Sequence, residues 1–143
     1  MAGVAPAASV RFLPRDDGVG HVHMADATGK NEMTAAFVEE LLAALREAAA
    51  WPDLRVLVLR GHDEVFSSGA SVDMLRALVG GSVAPADILL AKAVLDVPVP
   101  VVAAMAGHAV GGGFALGLAA DMPMIARESR YGATFMNMGF TPG

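Results

Sequence analysis

Phe66-Ser67-Ser68-Gly69-Ala70-Ser71 and Gly107-His108-Ala109-Val110-Gly111-Gly112-Gly113 are the two stretches on which the reading of this chain turns. Each follows an apolar strand-like run and each leads into a helix-like stretch. A strand-to-helix turn leaves backbone N–H groups unpaired at the helix entrance, where the helix dipole also favours negative charge. Two such turns converging on one point make an oxyanion hole for a developing alkoxide or enolate, with the Ala70 and Gly112 N–H groups as donors. Either turn alone is equally an ordinary connection, or a place where helix and sheet pack closely. The ordered pair is the stronger signal.

The flanking elements follow from periodicity. Val56-Leu57-Val58-Leu59 is a continuous apolar run, expected as a strand buried on both faces, and it feeds the first glycine segment. Val99–Ala104 does the same for the second. Helices are expected at Val72–Leu78, Pro85–Leu95 and Gly112–Ala120, with Gly80-Gly81-Ser82 as a break, and Met122–Ala126 returns as a strand. Arg130-Tyr131-Gly132 reads as a short extended piece. Upstream, Val10–Leu13 and Val19–Met24 form a hairpin across Arg15-Asp16-Asp17-Gly18. Gly29-Lys30-Asn31 is a turn, and Asn31 or Thr34 caps a helix whose apolar face is Phe37, Val38, Leu41, Leu42, Leu45 and Ala49. Trp51-Pro52 ends that helix, and residues 1–8 are Ala-rich and loose. Strands alternating with crossover helices define an α/β layout in one domain.

Bulk properties remove several function classes. A formal charge of −5 with no basic stripe argues against nucleic-acid binding. The lack of cysteine excludes disulfides, thiol nucleophiles and thiolate metal sites, and fits a cytoplasmic protein. Val97–Ala120 holds no Asp, Glu, Lys or Arg, but its Pro98, Pro100, five glycines and His108 split it into a strand and a helix rather than a membrane span. The 55% hydrophobic share and mean hydropathy of +0.51 are high for a soluble monomer, so apolar surface is expected to be shared with a partner segment or subunit.

Other chemistries fail on spacing. No Gly-Lys-Ser/Thr follows the triple glycine, its spacing is wrong for a dinucleotide fingerprint, and no Gly-x-Ser-x-Gly elbow occurs. Ser67, Ser68 and Ser71 therefore read as turn residues. His21 and His23 share a strand face without a nearby third metal ligand in sequence, so no metal site is expected. His108 beside the glycines reads as structural or as a proton donor. Met105, Met122, Met124, Met136 and Met138 read as core, or as walls of an acyl pocket.

Taken together, Lys30-Asn31, Phe66-x-x-Gly69-Ala70, Gly107-x-x-x-Gly111-Gly112-Gly113 and Ala120-Asp121 resemble the enoyl-CoA hydratase/isomerase (crotonase) superfamily along the whole chain. That resemblance implies a ClpP/crotonase spiral of ββα units, of which these 143 residues are the N-terminal part, the closing C-terminal helices being supplied elsewhere. It implies that the Ala70 and Gly112 N–H groups polarise a thioester carbonyl. The pantetheine arm of CoA or of an acyl carrier protein would run along Ser68, Gly69, Ser71 and Val72. Gly111, Ala115, Tyr131 and Phe135 would line the acyl site. Among the cations Lys30, Arg76 and Lys92, each by default a solvated surface charge, Lys30 is the candidate to meet a carrier phosphate. No cofactor beyond the thioester carrier is implied, and trimers or hexamers are expected.

Two departures sharpen the expectation. The hydratases' two catalytic glutamates fall at Ala115 and Phe135, and neither side chain is an acid or a base, so water addition is disfavoured. A drier pocket without those carboxylates favours expelling one from the substrate as CO2. Arg127–Tyr131 and Phe135–Gly143 resemble the decarboxylating branch found in polyketide β-branching cassettes. The resemblance thus implies decarboxylation of a 3-methylglutaconyl-type thioester. Double-bond isomerisation, hydration and non-catalytic binding of a carrier are the alternatives.

Overall fold

The computed structural model describes residues 8–82 and 90–135. Most of the segment expected to be loose (1–7), the beginning of the helix read from Pro85, and residues 136–143 lie outside the described residues. A central sheet is built from β1 (Val10–Pro14), β2 (Val19–Met24), β4 (Val56–Arg60), β7 (Val101–Met105) and β9 (Met122–Ile125), in that spatial order. Only β1 runs antiparallel, because the Arg15–Gly18 turn reverses the chain: Gly18 sits at φ +82° and its N–H donates to Arg15 O at 3.0 Å. The other neighbours are parallel, as crossover helices require.

The first crossover is α1 (Ala35–Ala50). Thr34, not Asn31, caps it, accepting from Phe37 N at 3.2 Å. Its buried face is Phe37, Val38, Leu41, Ala44, Leu45 and Ala48, while Ala49 is exposed and Leu42 half-buried. The 3.6-residue period carries the stripe from Leu41 and Leu45 to Ala48 rather than to the next alanine. Phe37, Leu41 and Leu45 meet Val22, Met24, Leu57 and Leu59 from the sheet in one core. Each large side chain so buried contributes about 1.5–3 kcal/mol.

β4 differs from the expected strand buried on both sides. Leu57 and Leu59 are fully buried, but Val56 and Val58 are only half-buried. Helix α1 covers one face of this sheet. On the opposite face the same alternation exposes Arg11, His21, His23, Val58 and Arg60 to differing degrees.

Four strands escaped the sequence reading: β3 (Glu32–Met33), β5 (Val65–Ser67), β6 (Gly69–Ala70) and β8 (His108–Val110). At two or three residues they are too short for a period to declare itself. With β10 (Tyr131–Gly132) they form two small parallel sheets, β3-β6 and β10-β8-β5, which hold the glycine segments. The remaining helices among the described residues are α2 (Val72–Val79), α3 (Leu90–Leu95) and α4 (Gly112–Leu118). No helix among the described residues is long and apolar enough to cross a membrane. β9 is an edge strand whose four residues, Met122, Pro123, Met124 and Ile125, are all exposed.

Candidate active site

The site is assembled by the loop that leaves β2. Lys30 and Asn31 take left-handed conformations, φ +56° and +50°, and turn the chain sharply. Asn31 is fully buried, and its amide donates to Met24 O and Phe66 O at 3.0 Å each while its oxygen accepts from Asp26 N at 2.9 Å. This bracket pins the loop to the ends of β2 and β5. It also lets β3 pair with β6, with Met33 opposite Ala70.

In that pairing the Ser71 N–H donates to Met33 O at 3.4 Å. Successive N–H groups of a strand point to opposite edges, so the Ala70 N–H faces away from β3. Gly69 precedes it at φ +86°, and a Cβ there would stand 2.6 Å from Val110 O and 3.5 Å from Gly112 N. The two glycine segments therefore meet at Gly69, and no larger residue fits between them.

Gly112 opens α4 behind Gly111, whose φ of +53° and ψ of −123° suit glycine alone. The first bond of the helix runs from Ala115 N to Gly111 O at 3.0 Å, so the Gly112 N–H lies outside the helical ladder. The Gly111 N–H is taken by Gly132 O at 2.8 Å. Gly113 packs on Ser67, where a Cβ would meet Ser67 Cβ and Oγ at 2.6 Å. Met33, the strand partner of Ala70, places its sulfur 3.2 Å from the Cβ position of Gly112.

Ser68 and Val72 are exposed on either side of Ala70. Lys30 is exposed, with no carboxylate partner among the described residues, and its carbonyl accepts from Ser68 N at 3.1 Å. Ala115 is half-buried in the first turn of α4. Phe135 is half-buried and follows Thr134, whose Oγ1 lies 3.5 Å from the Cβ position of Gly111. Thr134 is the polar neighbour of the triplet that sequence reasoning missed; a lone threonine past a short extended piece carries no periodic signal.

Two side chains are committed to the frame. The Ser71 hydroxyl caps α2, accepting from Met74 N at 3.1 Å. The Tyr131 hydroxyl donates to Met105 O at 2.6 Å and accepts from Ala126 N at 2.8 Å, while its ring lies 6.0 Å from that of Phe114. Tyr131 thus braces β7, β9 and α4 through both ends of its side chain. His108 is structural as well: its Nδ1 accepts from Arg130 N at 2.9 Å, tying β8 to the approach to β10.

His21 and His23 stand apart on the open face of the sheet, where Arg60 lies 3.4 Å from His23 Nδ1. No three His, Asp or Glu side chains converge among the described residues. Burial first, and then the Arg60 cation, hold both imidazoles below the ordinary histidine value of 6.5; Arg11 and His62 add to this at His23, and Arg15 at His21, against a small opposing effect of Asp17. The unfolded chain therefore takes up protons near pH 6.5 that the folded chain accepts only at lower pH. Stability is present above pH 6.5 and declines as pH falls through the lowered folded values. The melting temperature is expected to be lower at pH about 5.5 than at about 7.5, and less so in a His21→Gln/His23→Gln double variant. Equal pH dependence in both proteins would show that the imidazoles play no part.

A groove of about 310 Å3, lined by Val94, Pro98, Val99, Ala119 and Asp121, opens before the start of β7. It contains none of the glycine-segment residues. Ligands of parallel sheets bind beyond the carboxyl ends of the strands, which is the end where Gly69 and Gly112 meet.

Comparison with known proteins agrees with this fold. The family profile of enoyl-CoA hydratase/isomerase matches residues 14–143. Bacillaene synthase decarboxylase PksI of Bacillus subtilis is 37% identical over 134 residues, covering 94% of this chain and 54% of its own. The probable enoyl-CoA hydratase EchA14 of Mycobacterium tuberculosis is 32% identical, over 92% of this chain and 53% of its own. A solved structure from a dehydratase/decarboxylase enzyme couple involved in polyketide β-branching superposes with a TM-score of 0.90 at 37% identity, over 94% of this chain and 55% of that one. The ECH2 decarboxylase domain of CurF from Lyngbya majuscula superposes at 0.81 with 36% identity, again over 94% and 55%. The chain spans about half the length of the relatives it matches. With the fold and these likenesses in agreement, the chain belongs to the enoyl-CoA hydratase/isomerase (crotonase) superfamily and is similar there to decarboxylating enzymes of polyketide β-branching.

Proposed function

We propose that this chain carries the enolate-binding part of a decarboxylase that acts on a 3-methylglutaconyl-type acyl thioester during polyketide β-branch formation. The observation that carries the reading is the meeting of Gly69 and Gly112 with alanine at 115 and phenylalanine at 135. That meeting brings the Ala70 and Gly112 peptides near one another, which supports a pair of backbone donors, and neither position 115 nor 135 offers an acid or base for adding water.

The chemistry follows from that arrangement. The thioester carbonyl oxygen sits between the Ala70 and Gly112 N–H groups. The bond from the substrate's carbon chain to its carboxylate breaks, CO2 leaves, and the electron pair moves into a dienolate whose oxygen those two donors hold. A proton then returns to carbon and gives a 3-methylcrotonyl-type thioester. Ala115 and Phe135 keep this end of the site apolar, which weakens solvation of the departing carboxylate and strengthens the donors' hold on the oxyanion. Ser68, Gly69, Ser71 and Val72 form the track for a pantetheine arm, with the peptide groups rather than the capped Ser71 hydroxyl available to it. Lys30 is the cation for a phosphate of CoA or of an acyl carrier protein. A homotrimer or hexamer is the proposed assembly.

The test is to incubate the intact protein with carrier protein loaded with a 3-methylglutaconyl group and follow its mass. Loss of CO2 is the expected result. A shifted double bond without loss of mass would replace the decarboxylase by an isomerase. Gain of water would restore the hydratase, and binding without turnover would leave a carrier-binding subunit.

A further inference from the structure

Behind the two donor peptides lies a buried polar relay that neither composition nor motif announces. Ser67 is fully buried; its hydroxyl donates to Asn31 O at 2.8 Å and accepts from Gly69 N at 3.2 Å. The same residue is the surface on which Gly113 rests, with Ser67 Cβ, Oγ and O all 2.6–2.7 Å from where a Cβ of Gly113 would stand. Ser67 thus touches both glycine segments, one by a hydrogen bond and the other by van der Waals contact. Asn31, also fully buried, fixes Ser67 in turn through its own bonds to Met24 O, Phe66 O and Asp26 N.

We propose that Ser67 and Asn31 are positioning residues for the enolate: their relay sets the separation and aim of the Ala70 and Gly112 N–H groups. This rests on the oxyanion reading above and extends it to residues that never touch substrate. The bond into Ser67 Oγ holds the Gly69 amide and so the left-handed turn that orients the Gly69–Ala70 peptide. Contact with Gly113 holds the start of α4, and therefore the Gly111–Gly112 peptide, against the same serine. Buried polar networks whose members are all paired are rigid, and a donor displaced by an ångström loses much of its effect on a transition state.

The experiment uses isovaleryl-CoA labelled at its thioester carbonyl, an unreactive saturated analogue, and reads the carbonyl stretch of the bound ligand. In the wild-type protein the band is expected to move to lower frequency than in water, as polarisation by two donors requires. In Ser67→Ala the bound band is expected to move back toward its position in water. Turnover of the reactive thioester should fall about 10- to 100-fold while KM stays within about threefold. Thr34→Ala, which removes a hydroxyl that caps α1 and makes no bond to Asn31 or Ser67, is expected to lower the melting temperature and leave the band in place.

A wild-type band unmoved from its position in water overturns the oxyanion reading and this proposal with it. A band that moves in the wild type and moves equally in Ser67→Ala overturns the relay alone, as does an equal change in Thr34→Ala. Should Ser67→Ala not fold, amide exchange of the wild type decides. Gly69 N–H is expected to exchange as slowly as the core strands, and Ala70 N–H to slow only when thioester binds. Fast exchange at Gly69 overturns the relay.

Discussion

Replacing Gly112 by proline is expected to lower kcat by about 10²–10³-fold, the effect of deleting one donor from an oxyanion hole. The substitution isolates that donor because the backbone accepts it. Gly112 is the first residue of α4, a position where proline's missing N–H breaks no helical bond and its fixed φ suits the helix. Gly111 before it, at φ +53° and ψ −123°, lies outside the α region that a following proline excludes. The added ring would press on the Met33 sulfur, 3.2 Å from the Cβ position, which is the movable part of a flexible side chain.

Gly112→Ala separates loss of the donor from added bulk. Alanine brings nearly the same Cβ and keeps the N–H, so its turnover should lie much closer to wild type. Proline and alanine variants measured side by side, with melting temperatures to show that both are folded, give a direct reading. Comparable losses in the two would assign the effect to steric obstruction. Proline turnover within threefold of wild type would remove Gly112 from the oxyanion hole.

What could be read from the sequence follows physical rules that particular residues illustrate. The glycine segments were legible because the backbone demands them. Gly69 and Gly111 adopt positive φ, and Gly113 sits where Ser67 leaves no room for a side chain, so the requirement is written in residue type. Helix α1 was legible from its period, with errors in its second half, where Ala44 and Ala48 turn inward, Leu42 is only half-buried and Ala49 is exposed. The continuous apolar run of β4 was read as burial on both faces, yet a run of Val and Leu looks the same whether its second face is covered or half open.

The polar interior of the site was hidden for a different reason. Asn31 resembled a helix cap and Ser67 a turn residue, since short polar side chains serve both purposes with neighbouring main chain. Their partners here are 35 and 36 residues away, Phe66 for Asn31 and Asn31 for Ser67. No local pattern records a bond of that span. The bracing role of Tyr131 was hidden in the same way: its hydroxyl reaches Met105, 26 residues earlier, and fixes the main chain. Motifs report what the backbone must do locally, whereas the network that aims the donors is a product of topology.

The largest loss of stability is expected not at the donor glycines but at Gly107, where alanine should cost about 3 kcal/mol or more, near the upper range for overpacking. A Cβ at Gly107 would stand 2.2 Å from Val65 N, 2.3 Å from Glu64 C and 2.6 Å from Glu64 O. All three are main-chain atoms, so no rotamer change relieves the contact. Its backbone has no positive φ, so the whole cost is steric. Relief requires β5 and β8 to part, losing the pairing of Val65 with His108 and the bond from His108 N to Glu64 O at 2.9 Å. Gly81→Ala is the matched control, since nothing lies within 4 Å of its Cβ and only the strain of φ +71° opposes it, about 1 kcal/mol. Denaturant midpoints at constant slope measure both. The difference bears on catalysis because β5 ends in Phe66 and Ser67, and β8 leads directly into Gly111 and Gly112. If Gly107→Ala folds with a loss below about 1 kcal/mol, β5 and β8 separate at little cost, and their contact cannot be what holds Ser67 against the glycine triplet.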